Sequence, residues 1–270
     1  MKFTQIPAPD CLKRYVRYFW TLESTDGNSE ARTFRTMADG CPGIIFQHPD
    51  DGAFHMENKP LPGMILYGQT TKHAELCLTG NFNTIGIYFY PHALKAVFGV
   101  NAEELTDDCM DLNLTGGTKD FFLPEQLSDA ASALGQIEIL TDYLCLQVGK
   151  NDRQPDELMQ YAVSQLIHTK GNISLGALQN ELRITERSFE RRFKRHVGIS
   201  SKLFSRICRF QASLAQLRNS DYDKLSDIAF ENEYADQSHF IRSFKEFAGV
   251  SPNRYQEDYN EVVENFSELK

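Results

Sequence analysis

The chain has 270 residues, a formal net charge of −9, 41% hydrophobic and 24% charged residues, values ordinary for a folded protein and long enough for two domains. No apolar run approaches the length of a membrane span, and the first residues lack the apolar centre of a secretory leader, so a cytoplasmic protein is expected. The six cysteines, Cys11, Cys41, Cys77, Cys109, Cys145 and Cys208, are scattered with no Cys-x-x-Cys pair; they read as small buried apolar residues, neither a metal site nor a thiol sensor.

The first half reads as short strands over 15–22, 43–48, 64–69, 75–78 and 84–90, rich in β-branched and aromatic residues and separated by turn formers at 39–43, 49–52 and 79–81. In the last strand, alternation places Ile85, Ile87 and Phe89 on one face and Gly86, Tyr88 and Tyr90 on the other. A compact β-barrel or sandwich is expected. From Ala130 to Val148 the spacing turns helical, with Leu134, Ile137, Leu140, Leu144 and Val148 recurring, so a helix closes this half. The polar stretch 149–155 then reads as a linker, dividing the chain into domains 1–150 and 151–270.

Beyond it the chain is helical in short pieces. Pro155 and Asp156 open a helix running through Ile167, which Gly171 ends. Ser174 caps a second helix with Leu175, Leu178 and Leu182, and Arg183-Ile184 makes a tight turn. Thr185 caps a third, with Phe189, Phe193 and Val197 on one face and Gly198 past its end. A longer helix follows, its apolar stripe traced by Leu203, Ile207, Phe210, Leu214 and Leu217. The fold class is thus α+β, an N-terminal β-domain with a closing helix and an all-α C-terminal domain.

The negative charge would argue against nucleic acid if it were evenly spread. Residues 1–150 hold 11 Lys or Arg against 19 Asp or Glu, whereas 151–270 hold 17 against 18. Within 181–209, nine basic side chains face three acidic ones, a local basic stripe in an acidic chain.

An internal repeat carries the functional reading. The pattern Phe-x-Arg-x-Phe-Lys-x-x-x-Gly-x-Ser, running from Phe189 to Ser200, returns fifty-one residues later from Phe240 to Ser251. Thr185 and Asp236 correspond at that offset as N-caps, and short apolar helices, 175–182 and 225–232, precede the two copies. Each copy is a helix, a tight turn and a second helix: the helix-turn-helix unit. The two Phe residues four apart face the core, while the Arg two positions after the first projects about 200° away, as major-groove docking requires.

These residues resemble the AraC-type transcription regulators, whose DNA-binding domain joins two helix-turn-helix units by a linker helix. The likeness covers roughly 157–257 and rests on Asp236 to Lys245, Gly249-Val250-Ser251-Pro252 and Tyr255, with Thr185, Phe189, Arg191, Phe193, Lys194, Gly198, Arg209 and Ala212 in the first unit. It implies base-reading positions at Arg187, Glu190 and Arg191, and at Gln237, Ser238, His239 and Arg242, with Lys194, Arg195, Lys202 and Lys245 as phosphate contacts. Two residues depart from the family pattern. Glu233 stands where Gly is usual, at a cost of about 1 kcal/mol if its backbone is left-handed, and Gln179 stands where a small Ala is usual.

The first half is similar to a subgroup of N-terminal domains found with this DNA-binding unit, on the stretches 15–22, 39–46 and 86–91; the resemblance implies a sensing or regulatory role. Trp20, Phe46, Tyr67, Tyr88 and Arg35 are the side chains that could line a ligand pocket, although ordinary packing is the commoner fate of such residues. The partners expected are double-stranded DNA, with RNA polymerase, an unidentified small-molecule effector and a second copy of the chain as further partners the reading admits; neither a membrane, a metal nor a cofactor is expected, and no enzymatic activity. Two alternative functions call on other residues. A metal-dependent cupin-like enzyme would use His48, His55, His73 and His92, but no two of them are one residue apart as such sites require. An alkyl-accepting repair regulator would need a reactive cysteine and a cysteine-rich zinc site, which the spacing does not offer.

Overall fold

The computed structural model describes residues 2–23, 32–48, 52–56, 59–78, 80–114, 121–151 and 155–258. Residues 49–51 and 79 of the expected turns and 152–154 of the expected linker lie outside them. The strands in chain order are β1 (Lys2–Pro7), β2 (Val16–Glu23), β3 (Arg32–Thr36), β4 (Gly43–Gln47), β5 (Phe54–Met56), β6 (Lys59–Pro60), β7 (Met64–Tyr67), β8 (Ala74–Leu78), β9 (Asn83–Phe89) and β10 (Cys109–Asp111). They form one six-stranded sheet, ordered β1-β2-β9-β4-β7-β10, and one four-stranded sheet, ordered β3-β8-β5-β6, every described pairing being antiparallel.

The alternation in β9 decides how the layers stack. Ile85, Ile87 and Phe89 pack with Val16, Phe19, Ile44 and Leu66 under helices, whereas Tyr88 joins Trp20, Ile45, Phe34, Phe54 and Leu76 between the two sheets. The larger sheet is therefore a middle layer buried on both faces, and the two sheets make a sandwich with a helical layer added. The helices are α1 (Ala93–Phe98), α2 (Leu123–Asp129) and α3 (Ala133–Asn151). The closing helix differs from expectation at its start: Leu134 is 68% exposed. The buried face of α3 carries Gln136, Ile137, Leu140, Tyr143, Leu144 and Gln147, and at 100° per residue Leu134 lies about 120° from the centre of that face. The helix also runs on into the expected linker, ending where Asn151 Nδ2 donates to the Val97 carbonyl at 2.7 Å.

The second half is helical: α4 (Glu157–His168), α5 (Leu175–Glu181), α6 (Glu186–Val197), α7 (Ser201–Arg218), α8 (Leu225–Glu231), α9 (Gln237–Ala248) and α10 (Pro252–Asp258). Its single core gathers Phe189, Phe193, Phe204, Phe210, Phe240, Phe244 and Phe247, and takes in Met37 and Ala38 from the loop after β3. Asp156 caps α4, accepting from the Met159 N–H at 3.2 Å, and its carboxylate also accepts from Arg192 Nε and Nη2 and pairs with His196 Nε2 at 3.2 Å, tying α4 to α6. Burial alone would raise this carboxyl, but the hydrogen bonds from His196, Arg192 and the backbone outweigh it and hold the group well below the usual carboxylate range.

Two stability predictions follow from this half. Glu233 has φ 55° in the turn after α8, so Glu233→Gly is expected to raise the melting temperature with a gain under about 1 kcal/mol; a lower melting temperature would mean that the Glu233 side chain makes a contact worth more than the backbone relief. Asp156→Ala is expected to cost about 1–3 kcal/mol by removing charge-assisted hydrogen bonds and a cap. Because the folded carboxyl is depressed, its contribution is complete above the unfolded value of about 3.9 and is lost as pH falls below it. Urea unfolding of both proteins across pH should therefore show a gap that is level from neutrality to about pH 4 and narrows only in stronger acid. A gap already closing near neutrality would mean that a group other than Asp156 sets it.

Candidate nucleic-acid interface

Each unit is built by the same local chemistry. In the first, Ser174 Oγ accepts from the Ala177 N–H at 3.3 Å to start α5, Arg183 turns left-handed at φ 52°, and the Ile184 N–H closes back on the Gln179 carbonyl at 3.1 Å. Thr185 Oγ1 then accepts from the Ser188 N–H at 3.4 Å to start α6. In the second, Glu233 takes the left-handed place, the Tyr234 N–H closes on the Ala229 carbonyl at 2.9 Å, and Asp236 Oδ1 accepts from the His239 N–H at 2.7 Å to start α9. Ala229 is buried and its counterpart Gln179 is half-buried, so the larger side chain is accommodated at the rim of the first unit.

With Phe189, Phe193 and Val197 buried on α6, and Phe240, Phe244 and Phe247 on α9, the opposite faces are set outward. Arg187, Arg191, Lys194, Gln237, Ser238, Arg242 and Lys245 are all exposed, as is Lys202 at the start of α7. Arg191 with Arg242, and Lys194 with Lys245, occupy equivalent places in the repeat.

Three of the expected residues are engaged within the protein. Glu190 is half-buried, accepting from Ser201 Oγ and from the Ser201 N–H at 3.4 Å, so its carboxylate serves the start of α7. Its repeat counterpart, Ile241, packs against the core, a signal for an inward-leaning position that the sequence already held. Arg195 Nε lies 3.5 Å from Asn101 Oδ1, close enough to Lys95 that burial and this neighbouring guanidinium together hold the Lys95 ammonium below its usual range. Arg195 is exposed while reaching toward the first half, and its repeat counterpart Glu246 pairs with Arg206 at 2.5 Å. His239 is half-buried against Tyr234, and its Nδ1 accepts from the Ala235 N–H at 3.3 Å.

The β-rich half meets both units at corresponding glycines, which the sequence did not reveal. Gly198 ends α6 at φ 97°, and Thr106 Oγ1 donates to its carbonyl at 2.8 Å; a Cβ there would lie 2.9 Å from that oxygen and 3.0 Å from the Ala102 carbonyl. Gly249 ends α9 at φ 78°, and a Cβ there would lie 2.5 Å from the His73 ring. Between them, Gln211 Nε2 on α7 donates to the Ala38 carbonyl at 2.7 Å.

His48 and His55 lie against the carbonyls of Ser128 and Ala53, His92 stacks on Tyr90, and His73 abuts Gly249. Among the described residues no three His, Cys, Asp or Glu side chains gather where a metal ion could be held. Trp20, Tyr67 and Tyr88 pack between the sheets, Phe46 packs under the helices, and Arg35 pairs with Glu75 at 3.0 Å, so these five do not line one pocket. No helix among the described residues is long and apolar enough to cross a membrane.

Known proteins match the two halves separately. A family model described as a helix-turn-helix domain matches residues 178–258, and one described as a domain of unknown function (DUF6597) matches residues 4–111. The HTH-type transcriptional activator RhaS of Escherichia fergusonii is 26% identical over 132 residues, 47% of this chain and 47% of its own length. An uncharacterized HTH-type transcriptional regulator of Staphylococcus aureus (strain MSSA476) is 24% identical over 115 residues, 43% of this chain and 15% of its own length; the chain thus spans half or less of these relatives. Solved structures of ToxT from Vibrio cholerae and of the AraC-like transcriptional activator CuxR align with TM-scores of 0.46 and 0.29 at 16% and 13% identity, covering 88% and 80% of this chain and 97% and 95% of theirs. The repeated units, their caps and the family match over them together identify residues 178–258 as a helix-turn-helix domain of the AraC type.

Proposed function

We propose that the protein is a sequence-specific DNA-binding transcription regulator in which residues 151–270 grip DNA and residues 1–150 regulate the grip. The observation that carries this reading is the pair of like units on one helix, each turning an exposed Arg and Lys outward at equivalent positions, Arg191 with Lys194 and Arg242 with Lys245. Arg187, Arg191, Gln237, Ser238 and Arg242 are the side chains assigned to base edges, where Arg donates two hydrogen bonds to guanine and Gln pairs with adenine. His239 takes part through Nε2, since Nδ1 is bonded to the turn. Lys194, Lys202 and Lys245 are assigned to phosphates, which supply affinity without sequence information. The regulatory role of the first half rests on its contacts with the C-terminal ends of both recognition helices at Gly198 and Gly249; an effector that moved those contacts would act on both units together.

Two units on a rigid helix enter successive major-groove segments about 34 Å apart, so the binding site should hold two short boxes about ten base pairs apart. Arg242→Ala is expected to cost about 1–3 kcal/mol on the cognate site and relax preference within one box, and Arg191→Ala to do the same in the other. Lys194→Ala should weaken cognate and random DNA alike and flatten the slope of log affinity on log salt by about one unit. Binding to a randomised-site library at several salt concentrations checks all three variants. Uniform loss over all sequences in both Arg variants would make these side chains phosphate clamps and end the base-reading assignment.

A further inference from the structure

Cys11 and Cys145 are 134 residues apart in sequence, yet their sulfur atoms are 3.3 Å apart, with the Cys145 S–H donating to Cys11 Sγ. Both thiols are held in place by their neighbours. Leu12, next to Cys11, and Leu144, next to Cys145, are fully buried in the same core. The 9–16 turn is closed by the Tyr15 and Val16 N–H groups on the Leu12 carbonyl, each at 2.8 Å. Cys11 is exposed, so a soluble oxidant reaches it, whereas Cys145 on α3 is half-buried. Three residues beyond Cys11, Arg14 donates from Nε and Nη2 to Gln160 Oε1 at 2.9 and 2.7 Å, linking the same turn to α4 of the helical half.

We propose that Cys11 and Cys145 form a redox-active dithiol that a hydroperoxide converts to a disulfide, fastening α3 to the turn that contacts the helical half. The Cys11 thiol gives up its proton and its sulfur attacks one peroxide oxygen; the S–O bond forms as the O–O bond breaks, leaving a sulfenic acid, and the other oxygen takes up the thiol's proton and departs as water or alcohol. Cys145 sulfur then attacks the Cys11 sulfur; the S–O bond breaks, its oxygen leaves as a second water with the Cys145 proton, and the S–S bond forms. Two thiols are oxidised and one peroxide is reduced. Burial, reinforced by its hydrogen bond to Cys11, pushes the Cys145 thiol up to about 11 and so disfavours its thiolate, while the exposure of Cys11 makes it the thiol that meets the peroxide first. The closing movement is small: the sulfurs must approach from 3.3 Å to the bonded length of about 2.05 Å.

The test exposes the full chain to hydrogen peroxide, alkylates the remaining thiols and maps peptides without reduction. The expected product is lighter by about 2 Da, the two hydrogens lost on disulfide formation, with Cys11 joined to Cys145 and the other four cysteines alkylated. Cys145→Ser should leave Cys11 as a sulfenic acid that dimedone captures, and Cys11→Ser should show neither product. Amide exchange across residues 9–16 should slow in the oxidised wild type and stay unchanged in Cys145→Ser. Oxidation of Cys11 in the wild type without its joining Cys145, or a different cysteine pair forming first, would overturn the proposal. Neither result depends on whether the protein binds DNA.

Discussion

Phe204 and Phe210 stand six residues apart on α7, and each anchors a different unit: Phe204 meets Phe193 at 5.7 Å, and Phe210 meets Phe244 and Phe247 at 5.3 Å each. Six residues of α-helix are about 9 Å of rise and about 120° of net rotation, so the spacing of two aromatic side chains sets both the separation and the relative turn of the anchoring points. All these rings are fully buried. Removing one would cost about 3–5 kcal/mol, a large part of a domain's whole stability of about 5–15 kcal/mol. No Gly or Pro interrupts residues 201–218, so nothing in the backbone invites a kink. The geometry with which two outward helices could approach DNA is thus a consequence of core packing, and the exposed arginines inherit it.

The same arrangement explains how an acidic chain accommodates a basic interface. Cationic side chains of α6 that lean toward other elements are paired or neighboured by polar groups, Arg192 with Asp156 and Arg195 with Asn101. Arg187, Arg191 and Lys194 on the far face are exposed, as is Arg195 at its edge. Charge is thereby sorted around one helix: the inner cations serve tertiary structure and the outer ones shape the surface field. Net charge averages over this sorting and so says little about the partner.

Much of this was legible in the sequence, because the signals are local. The caps Ser174, Thr185 and Asp236, the Phe spacing and the C-terminal glycines each act within one or two helical turns. The second sheet was largely missed: β5 and β6 are three and two residues long, too short for alternation to register, and they are strands because β8 pairs with β5 and β5 in turn with β6. Side chains whose fate depends on a distant element were also illegible. Glu190 turns toward Ser201, Arg195 toward Asn101 and Cys11 toward Cys145, and spacing along the chain carries no trace of the last two. Gly198 and Gly249 were legible as helix ends, but not as points where another part of the chain comes too close to admit a Cβ.

The two units also differ by one residue in a way that assigns His239 a local task. The returns that end their first helices, at Ile184 and Tyr234, are fifty residues apart, whereas the caps Thr185 and Asp236 are fifty-one apart. Thr185 follows Ile184 directly, but Ala235 intervenes between Tyr234 and Asp236. An inserted residue brings a backbone N–H for which the first unit has no counterpart. The imidazole Nδ1 of His239 accepts from it, while Tyr234 packs edge-on against the ring at 5.4 Å. Ser188, at the corresponding place in the first unit, caps with its own N–H on Thr185 and has no extra residue to serve. His239 thus stabilises the longer turn from the first turn of α9, and only its Nε2 is left to face outward. The two units are consequently not exact copies of one another, even though one repeat builds them both.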